Sequence, residues 1–315
     1  MGFLKQIKAK WILGAVAALL AVMVGCGTVA TRWVKNADLA APRHPQTGIL
    51  LGAEEEDLGP VDAPGAVLFV HGFVGGGSNF ADLPRRTAEQ GWRVRVMRLP
   101  GHGTSPLDFE KVKPAELIEA VTREITRLRQ RYPYVAVVAH SMGGALAVIA
   151  ATNVKIDRLV LAAPYFGVSY KWYYLLPPEA WSTLISPFIR WVKKGDRFVM
   201  VNRKEAKSEI MSYRWIPTQG IRTLITLGRM ARDPQRLQEL TCPVLVIQST
   251  GDDAASPRAS RQAFDRIASL EKQWLGLTQS NHHVFFDYER EQVAEAVLRF
   301  LGPPPHADAN GPTPP

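Results

Sequence analysis

Residues 134–144 combine an apolar strand with a serine between small residues, and no other stretch restricts the possible folds as much. They read Tyr-Val-Ala-Val-Val-Ala-His-Ser-Met-Gly-Gly, and their β-branched valines are typical of a buried central strand. The alanine-rich segment that comes next favours a helix. A reversal from strand to helix at this point strains the backbone at Ser141 and lifts its hydroxyl clear of the sheet.

Only residues with little or no side chain fit around such a sharp turn, and Ala139, Gly143 and Gly144 meet that demand. A helix that begins at Ser141 also directs free N–H groups at the place where negative charge would develop. The alternative interpretation is an ordinary strand–turn–helix in which Ser141 is only the N-cap. Residues elsewhere in the chain decide between the two.

Strand-like and helix-like segments alternate on both sides of this turn, which is typical of a parallel α/β sheet. The predicted strands are residues 66–70, 93–98, 134–139, 159–162, 244–248 and 273–277. The predicted helices are residues 80–90, 114–131, 141–152, 260–267 and 290–300. We therefore expect one α/β domain over residues 60–301, with a mostly parallel central sheet and helices on both faces.

The segments outside this alternation set the limits of the domain. Residues 26–59 are interpreted as a linker and the start of the domain, because residues 31–48 are mixed polar with two prolines. The acidic run 54–57 is predicted to be a solvated loop or hairpin tip. Residues 302–315 are rich in proline and polar residues and are expected to form a disordered tail.

The alternation breaks at about residues 165–233, after the strand that follows the serine helix. Residues 165–220 hold 12 of the 28 aromatic residues, together with nine Lys or Arg and four Asp or Glu. We interpret this insert as a helical cap over the strand ends, whose apolar surface suits an acyl chain. Aromatic and basic residues also suit an anionic membrane surface. The alternative is that most of these rings form the core of the cap itself.

The N-terminus predicts export and attachment to a membrane. Lys5, Lys8 and Lys10 precede an uncharged apolar stretch, and Cys26 follows Met23-Val24-Gly25. This order describes a signal peptide over residues 1–25, and the cysteine resembles a bacterial lipoprotein box. We therefore expect lipidation of Cys26 and a location in the cell envelope or periplasm. The alternative is an uncleaved anchor, since residues 11–30 carry no charge and about 20 apolar residues span a bilayer.

Charge and cysteine content limit the partners of the chain. The formal net charge is +9, and removal of the three N-terminal lysines leaves +6, without the dense basic clusters of nucleic-acid-binding proteins. We therefore expect no nucleic-acid partner. Lipidation of Cys26 would leave Cys242 without a disulfide partner. No Cys/His cluster has metal-site spacing, and we expect neither a metal nor a cofactor.

A serine hydroxyl is a weak nucleophile until a histidine takes its proton and a carboxylate orients that histidine. The predicted strand 244–248 is followed by Asp252 and Asp253, and the strand 273–277 by His282 and His283. Asp252 lies five residues before a proline and His282 five residues before an aspartate, so we choose Asp252 and His282. Asp253 is then a solvated neighbour, and His283 points elsewhere.

Acyl transfer also needs two N–H donors that stabilise the tetrahedral intermediate. One predicted donor is Met142, directly after the serine. The other is Phe73, in the loop His71-Gly72-Phe73-Val74-Gly75-Gly76-Gly77 after the first central strand. The glycines let this loop approach a substrate closely. They also fit a phosphate-binding loop, but no Lys-Ser or Lys-Thr comes after them.

Taken together, these motifs resemble the α/β-hydrolase superfamily, and within it the group of monoacylglycerol lipases, carboxylesterases and serine-aminopeptidase-like enzymes. The resemblance covers about residues 60–300 and rests on Val70-His71-Gly72-Phe73, Leu99-Pro100-Gly101-His102-Gly103-Thr104-Ser105, residues 139–144, Asp252 and His282. It implies that Ser141 is the nucleophile, His282 the base and Asp252 its orienting acid, with Phe73 and Met142 as oxyanion donors.

The chain departs from the Gly-x-Ser-x-Gly pattern of this superfamily at its first position, where Ala139 adds one methyl group. His102 and His140 are implied to be structural neighbours of the site. We expect a membrane-tethered serine hydrolase that cleaves carboxylic esters with apolar acyl groups through an acyl-enzyme. The alternatives are a thioesterase, amidase or acyltransferase with the same residues, or a non-catalytic lipid-binding lipoprotein.

Overall fold

The computed structural model describes residues 27–169, 180, 188–195 and 199–305. The predicted signal peptide, Cys26 and six of the twelve aromatic residues of the insert lie outside these residues. Among the helices of the described ranges, none has the length and apolar character needed to cross a membrane.

Seven of the nine strands in the described residues form one central sheet, in the order β1-β3-β2-β4-β5-β8-β9. The strands are β1 (Glu56–Leu58), β2 (Gly65–Val70), β3 (Arg93–Met97), β4 (Tyr134–His140), β5 (Arg158–Ala162), β6 (Trp191–Lys193), β7 (Trp215–Pro217), β8 (Val244–Ser249) and β9 (Lys272–Leu277). All neighbours in the sheet are parallel except β1, which runs antiparallel to β3. The prediction of a mostly parallel sheet is confirmed.

Helices cover both faces of this sheet. The helices are α1 (residues 27–39), α2 (Leu83–Glu89), α3 (Pro106–Phe109), α4 (Pro114–Arg129), α5 (Met142–Ala151), α6 (Thr218–Ala231), α7 (Pro234–Gln238), α8 (Pro257–Arg266) and α9 (Arg290–Leu301). Alternate residues of β2 belong to two separate cores, Leu68 to one with α4, α5 and α6, and Val67 to one with α2 and α9. The side-chain period of two in a strand produces this division.

Helix α5 is apolar all round because it lies between the sheet and other helices. Every residue from Met142 to Ala150 is buried, and α4 and α6 pack against it. A helix without a polar face is stable only when it is enclosed on all sides. Its N-terminus, directly after Ser141, is therefore held firmly at the edge of the sheet.

Two segments near the N-terminus differ from the sequence prediction. Residues 54–57 were expected to form a loop or hairpin tip, but β1 begins at Glu56, and Arg95 of β3 pairs with Glu55 and Asp57. Charged residues are typical of exposed edge strands, and they hide the strand pattern. Within the expected linker, residues 27–39 are helical, and Val34 is fully buried.

The C-terminal boundaries also shift. Helix α6 buries Gly220, Thr223, Leu227 and Ala231 against α5 and α4, so the insert ends near residue 217 rather than 233. Its described part contains the β6–β7 hairpin and a 3₁₀ helix at Lys204–Ser208. In the expected tail, residues 302–305 are described, and the carbonyl of residue 302 accepts a hydrogen bond from an indole at 2.9 Å.

Candidate active site

Ser141 lies at the turn between β4 and α5 with φ +55° and ψ −117°. A serine rarely adopts this left-handed conformation, so neighbouring bonds have to impose it. Its N–H donates to the carbonyl of Ala162 at 3.0 Å, and its carbonyl accepts from the N–H groups of Gly144 and Tyr165 at 2.9 Å each. The strained backbone is therefore fixed from both sides, as expected for the sharp turn predicted from the sequence.

Close backbone contacts explain the small residues around this turn. A Cβ atom on Gly143 would lie 2.1 Å from the carbonyl oxygen of Val70, so no side chain fits there. A Cβ on Gly72 would lie 2.9 Å from the Cβ of Ser141. Ala139 is fully buried in β4, and Ser141 keeps its strained conformation with this extra methyl group in place.

The structure brings Ser141, His282 and Asp252 into one chain of hydrogen bonds. The hydroxyl of Ser141 lies 2.8 Å from Nε2 of His282, and Nδ1 of His282 lies 2.9 Å from Oδ2 of Asp252. All three residues are buried. With the Nδ1–H tautomer, His282 donates to the carboxylate and accepts from the hydroxyl, so the chain is oriented for removal of the serine proton.

The carboxylate of Asp252 is held by three further donors. Its Oδ1 accepts from the N–H groups of Ala254 and Ala255 at 2.8 Å each, and Oδ2 accepts from the side-chain amide of Gln248 at 3.0 Å. These bonds compensate for the burial of a charged group. Gln248 was not predicted from the sequence, since one glutamine at the end of an apolar strand carries no distinctive signal.

Asp287 fixes the loop that carries His282 and was also missed. Its buried carboxylate accepts from the N–H groups of Asn281, Asn202 and Arg203 at 2.7 to 3.0 Å. It therefore ties the histidine loop to the insert. The spacing of five residues between His282 and Asp287 is the sequence signal for this aspartate. In the sequence it distinguished His282 from His283 but did not predict a role for Asp287.

Asp253 and His283, the neighbours of Asp252 and His282, have partners outside the hydrogen-bond chain of Ser141. The carboxylate of Asp253 is exposed and accepts from the side-chain amide of Asn281 at 3.1 Å. The backbone N–H of His283 donates to the carbonyl of Met200 at 3.1 Å. Burial, together with neighbouring positive charge, holds the pKa of His283 well below its usual value. The structure therefore places neither Asp253 nor His283 in the hydrogen-bond chain of Ser141.

Of the two predicted oxyanion donors, one directly follows the serine in the chain and the other directly follows a glycine that lies against the serine. Met142 is the first residue of α5, and Phe73 follows Gly72, which lies against Ser141. Among the described residues, no backbone acceptor takes a hydrogen bond from the amide of either one. Both N–H groups are therefore available to a ligand.

Three other histidines hold the surrounding loops while remaining neutral. Nε2 of His71 accepts from the N–H of Leu99 at 3.1 Å, and His140 lies with Nε2 3.1 Å from the carbonyl of His282. Burial lowers the pKa of His71 to about 4 and those of His102 and His140 to about 3. Neutral imidazoles of this kind connect loops without adding charge to the site.

Comparisons with known proteins agree with the geometry. The family described as serine aminopeptidase, S33, matches residues 62–289. A thermostable monoacylglycerol lipase from Bacillus sp. strain H-257 is 29% identical over 269 residues, which cover 81% of this chain and 97% of that protein. A carboxylesterase from Bacillus subtilis strain 168 is 21% identical over 238 residues, which cover 75% of this chain and 92% of that protein.

A solved structure from work on LipS and LipT, two metagenome-derived lipolytic enzymes, superposes with a TM-score of 0.69. The two chains are 25% identical, and the match covers 80% of this chain and 98% of that one. The match therefore spans nearly the whole length of these proteins.

Proposed function

The chain belongs to the serine aminopeptidase S33 family and is a lipase- or esterase-like serine hydrolase with the α/β-hydrolase fold, and we propose that Ser141, His282 and Asp252 are its catalytic residues. The observation that carries this proposal is the unbroken hydrogen-bond chain from the Ser141 hydroxyl through His282 to Asp252, at 2.8 and 2.9 Å. The proposed substrates are carboxylic esters with apolar acyl chains.

In the proposed mechanism, Oγ of Ser141 attacks the ester carbonyl while Nε2 of His282 takes its proton. Asp252 stabilises the resulting imidazolium and keeps the ring in the correct tautomer. The N–H groups of Phe73 and Met142 stabilise the oxyanion of the tetrahedral intermediate. His282 then gives its proton to the leaving alcohol, and an acyl-enzyme remains on Ser141.

Deacylation repeats these steps with water as the nucleophile. Nε2 of His282 takes a proton from water, the hydroxide attacks the acyl-enzyme, and the second tetrahedral intermediate collapses. The proton returns from His282 to Oγ of Ser141, and the carboxylic acid leaves. Replacement of water by an alcohol at this step would give an acyltransferase, which is the second candidate that the same residues allow.

The variant Ser141→Ala tests the nucleophile. It should lower kcat on p-nitrophenyl esters by a factor on the order of 10⁴ to 10⁶, since the remaining groups cannot form an acyl-enzyme. It should also abolish labelling by a fluorophosphonate probe, while the thermal unfolding curve stays close to that of the wild type. Undiminished turnover in this variant would contradict the mechanism.

The acyl preference is tested with the same esters in a series from acetate to decanoate. Each additional buried CH₂ contributes about 0.8 kcal/mol in transfer to an apolar site. We expect kcat/KM to rise by up to about fourfold per carbon over the part of the series that fits the site. A maximum at acetate would contradict an apolar acyl site.

We propose that lipidation of Cys26 tethers the enzyme to the bacterial cell envelope. The described chain begins at the next residue with α1, which packs against the β6–β7 hairpin: the indole of Trp191 donates to the hydroxyl of Thr31 at 3.0 Å. Trp33 and Val29 on this helix are about half exposed, at 58% and 48%. Exposed apolar groups beside an anchor suit a membrane surface.

Mass spectrometry of the protein extracted from membranes tests this tether. A mature N-terminus at Cys26 with the mass of a diacylglyceryl and an acyl group is the expected result. An intact Met1 would instead identify the apolar segment as an uncleaved anchor and overturn the lipidation proposal.

A further inference from the structure

Among the residues that the structure describes, one lysine of the insert forms no ion pair with a carboxylate and lies near the active site. Nζ of Lys194, which follows β6, donates to the hydroxyl of Ser212 at 2.6 Å. In the described part of the insert, Arg190 and Arg203 form ion pairs with acidic side chains, whereas Lys194 forms none. A hydroxyl orients an ammonium group but does not neutralise it.

The backbone of Lys194 is fixed by the hairpin. Its N–H donates to the carbonyl of Arg214 at 2.7 Å, which continues the pairing of β6 with β7. The side chain of the neighbouring Lys193 is exposed, whereas that of Lys194 is partly buried. The hairpin therefore turns one of two consecutive lysines toward the interior of the insert.

A hydrogen bond of the neighbouring segment and an electrostatic effect place this ammonium group near the loops of the active site. Ser212 directly precedes Tyr213, whose N–H donates to the carbonyl of Val74 at 3.1 Å, next to the proposed oxyanion donor Phe73. On the other side, the positive charge of Lys194 contributes to lowering the pKa of His283, the neighbour of the proposed base. Lys194 thus lies close to both the oxyanion loop and the histidine loop.

Within the described ranges of the chain, no carboxylate compensates the charge of Lys194, and the Ser212 hydroxyl is the partner of its ammonium group. Burial lowers the pKa of Lys194 to about 8, so the group is still largely protonated at pH 7. Nδ1 of His283 is also buried and has no hydrogen-bond partner among the described residues. A partly desolvated charge without a partner is stabilised when an anion binds beside it.

We propose that Lys194, oriented by Ser212, forms a subsite for an anionic group of the substrate, a phosphate or a carboxylate several bonds from the scissile ester. The inference rests on the proposed ester hydrolysis at Ser141 and narrows its substrates to esters that carry a negative charge. The alternative is that Lys194 only joins the two strands of the hairpin through Ser212.

Two matched substrate pairs test this subsite and locate the anion. The first pair is 1-butyrylglycerol and 1-butyrylglycerol 3-phosphate, which differ by a phosphate on the alcohol side. The second pair is p-nitrophenyl pentanoate and the p-nitrophenyl monoester of glutaric acid, which differ by a carboxylate at the end of the acyl chain. The wild type should prefer the charged member of at least one pair.

The variants are Lys194→Met, which keeps the length of the side chain without its charge, and Lys194→Arg, which keeps the charge. Lys194→Met should lower kcat/KM for the preferred anionic ester by about tenfold to a hundredfold, because it removes a charged hydrogen bond. The neutral member of the pair should change by about threefold or less. Lys194→Arg should retain most of the preference, and the exposed control Lys193→Met should match the wild type.

A wild type without preference in either pair would overturn the proposal. An equal loss on charged and neutral esters in Lys194→Met would do so as well, since it would identify Lys194 as a structural tie of the hairpin. The neutral esters keep this result separate from the proposed function. If the wild type hydrolyses none of the four esters, the ester hydrolase mechanism itself is wrong.

Discussion

The loops at the edge of the sheet and the insert above them are positioned in different ways. Asp252 and His282 come after two neighbouring parallel strands, whose last paired residues are Ser249 and Leu277. The ladder therefore brings both side chains to the same edge as Ser141. The insert instead meets these loops through hydrogen bonds that belong to no regular ladder, such as that of Tyr213 with Val74 and those of Asn202 and Arg203 with Asp287. The regular sheet thus positions the proposed catalytic residues, and irregular contacts position the residues of the proposed substrate recognition.

Among the variants that compare these two regions, the largest expected effect separates Asp252 from Asp253. Asp252→Asn should lower kcat by about 10³- to 10⁴-fold, because an amide neither stabilises the imidazolium nor selects the required tautomer of His282. Asp253→Asn removes an exposed carboxylate that lies outside the hydrogen-bond chain of Ser141, and kcat should change by about threefold or less. Ester hydrolysis at saturating substrate measures both.

A similar loss of kcat in Asp252→Asn and Asp253→Asn would contradict this interpretation. It would show that the position of an aspartate after β8 does not decide which of the two carboxylates orients His282. Thermal unfolding of both variants provides the control. The bonds of Asp252 to Ala254 and Ala255 also shape its loop, so a lower melting temperature is acceptable only if most of the protein is folded at the assay temperature.

The next effect concerns the turn at Ser141. Gly143→Ala should lower the free energy of unfolding by about 3 kcal/mol or more, since the new Cβ would overlap the carbonyl of Val70. Activity should fall with it, because relief of this clash moves the amide of Met142. The free energy of unfolding in urea and the ester assay measure the two effects.

Ala139→Gly is the matched control, and it restores the pattern from which the chain departs. Loss of a buried methyl group and the added freedom of glycine should cost about 1 to 2 kcal/mol of stability. We expect kcat to change by about threefold or less. A large gain in kcat would show that the methyl group of Ala139 distorts the turn. The sheet would then hold Ser141 away from its most reactive position in the natural chain.

Short-range periodicity made the strands of the central sheet predictable from the sequence. The six predicted strands occur in the sheet with shifts of at most one residue at either end, and the structure brings together the residues chosen after three of them. The resemblance to the lipase and esterase group is confirmed by the match of the family. These features depend on patterns within about ten residues.

Features that depend on contacts between residues far apart in the sequence could not be predicted from short-range periodicity. Strand β1 pairs antiparallel with β3, and Arg95 of β3 pairs with acidic residues whose sequence is typical of a solvated loop. Helix α1 buries Val34 completely but few other apolar side chains, so its apolar stripe is weak. Lys194 and Lys193 are identical in the sequence, and only the hairpin gives them different surroundings.

His102 connects the two regions and gives the smallest expected effect. Its ring lies on the loop after β3 and is nearly parallel to that of Tyr213 in the insert, with 6.4 Å between their centres. Burial, followed by the charge of His71, lowers its pKa to about 3, whereas an unfolded chain has a value near 6.5. Between these values the unfolded state binds more protons, so stability falls as the pH falls.

At pH 5 this difference in proton binding by His102 lowers the free energy of unfolding by about 2 kcal/mol. His102→Asn keeps a donor toward the carbonyl of Pro100, which accepts from Nδ1 at 3.0 Å, but it cannot take up a proton. The free energy of unfolding in urea should therefore fall by about 2 kcal/mol less between pH 7 and pH 5 in the variant than in the wild type. An equal fall in both proteins would mean that His102 is solvated or already charged in the folded state. The insert would then not seal this loop from water, and the contact between the two regions would be looser than the packing of His102 against Tyr213 indicates.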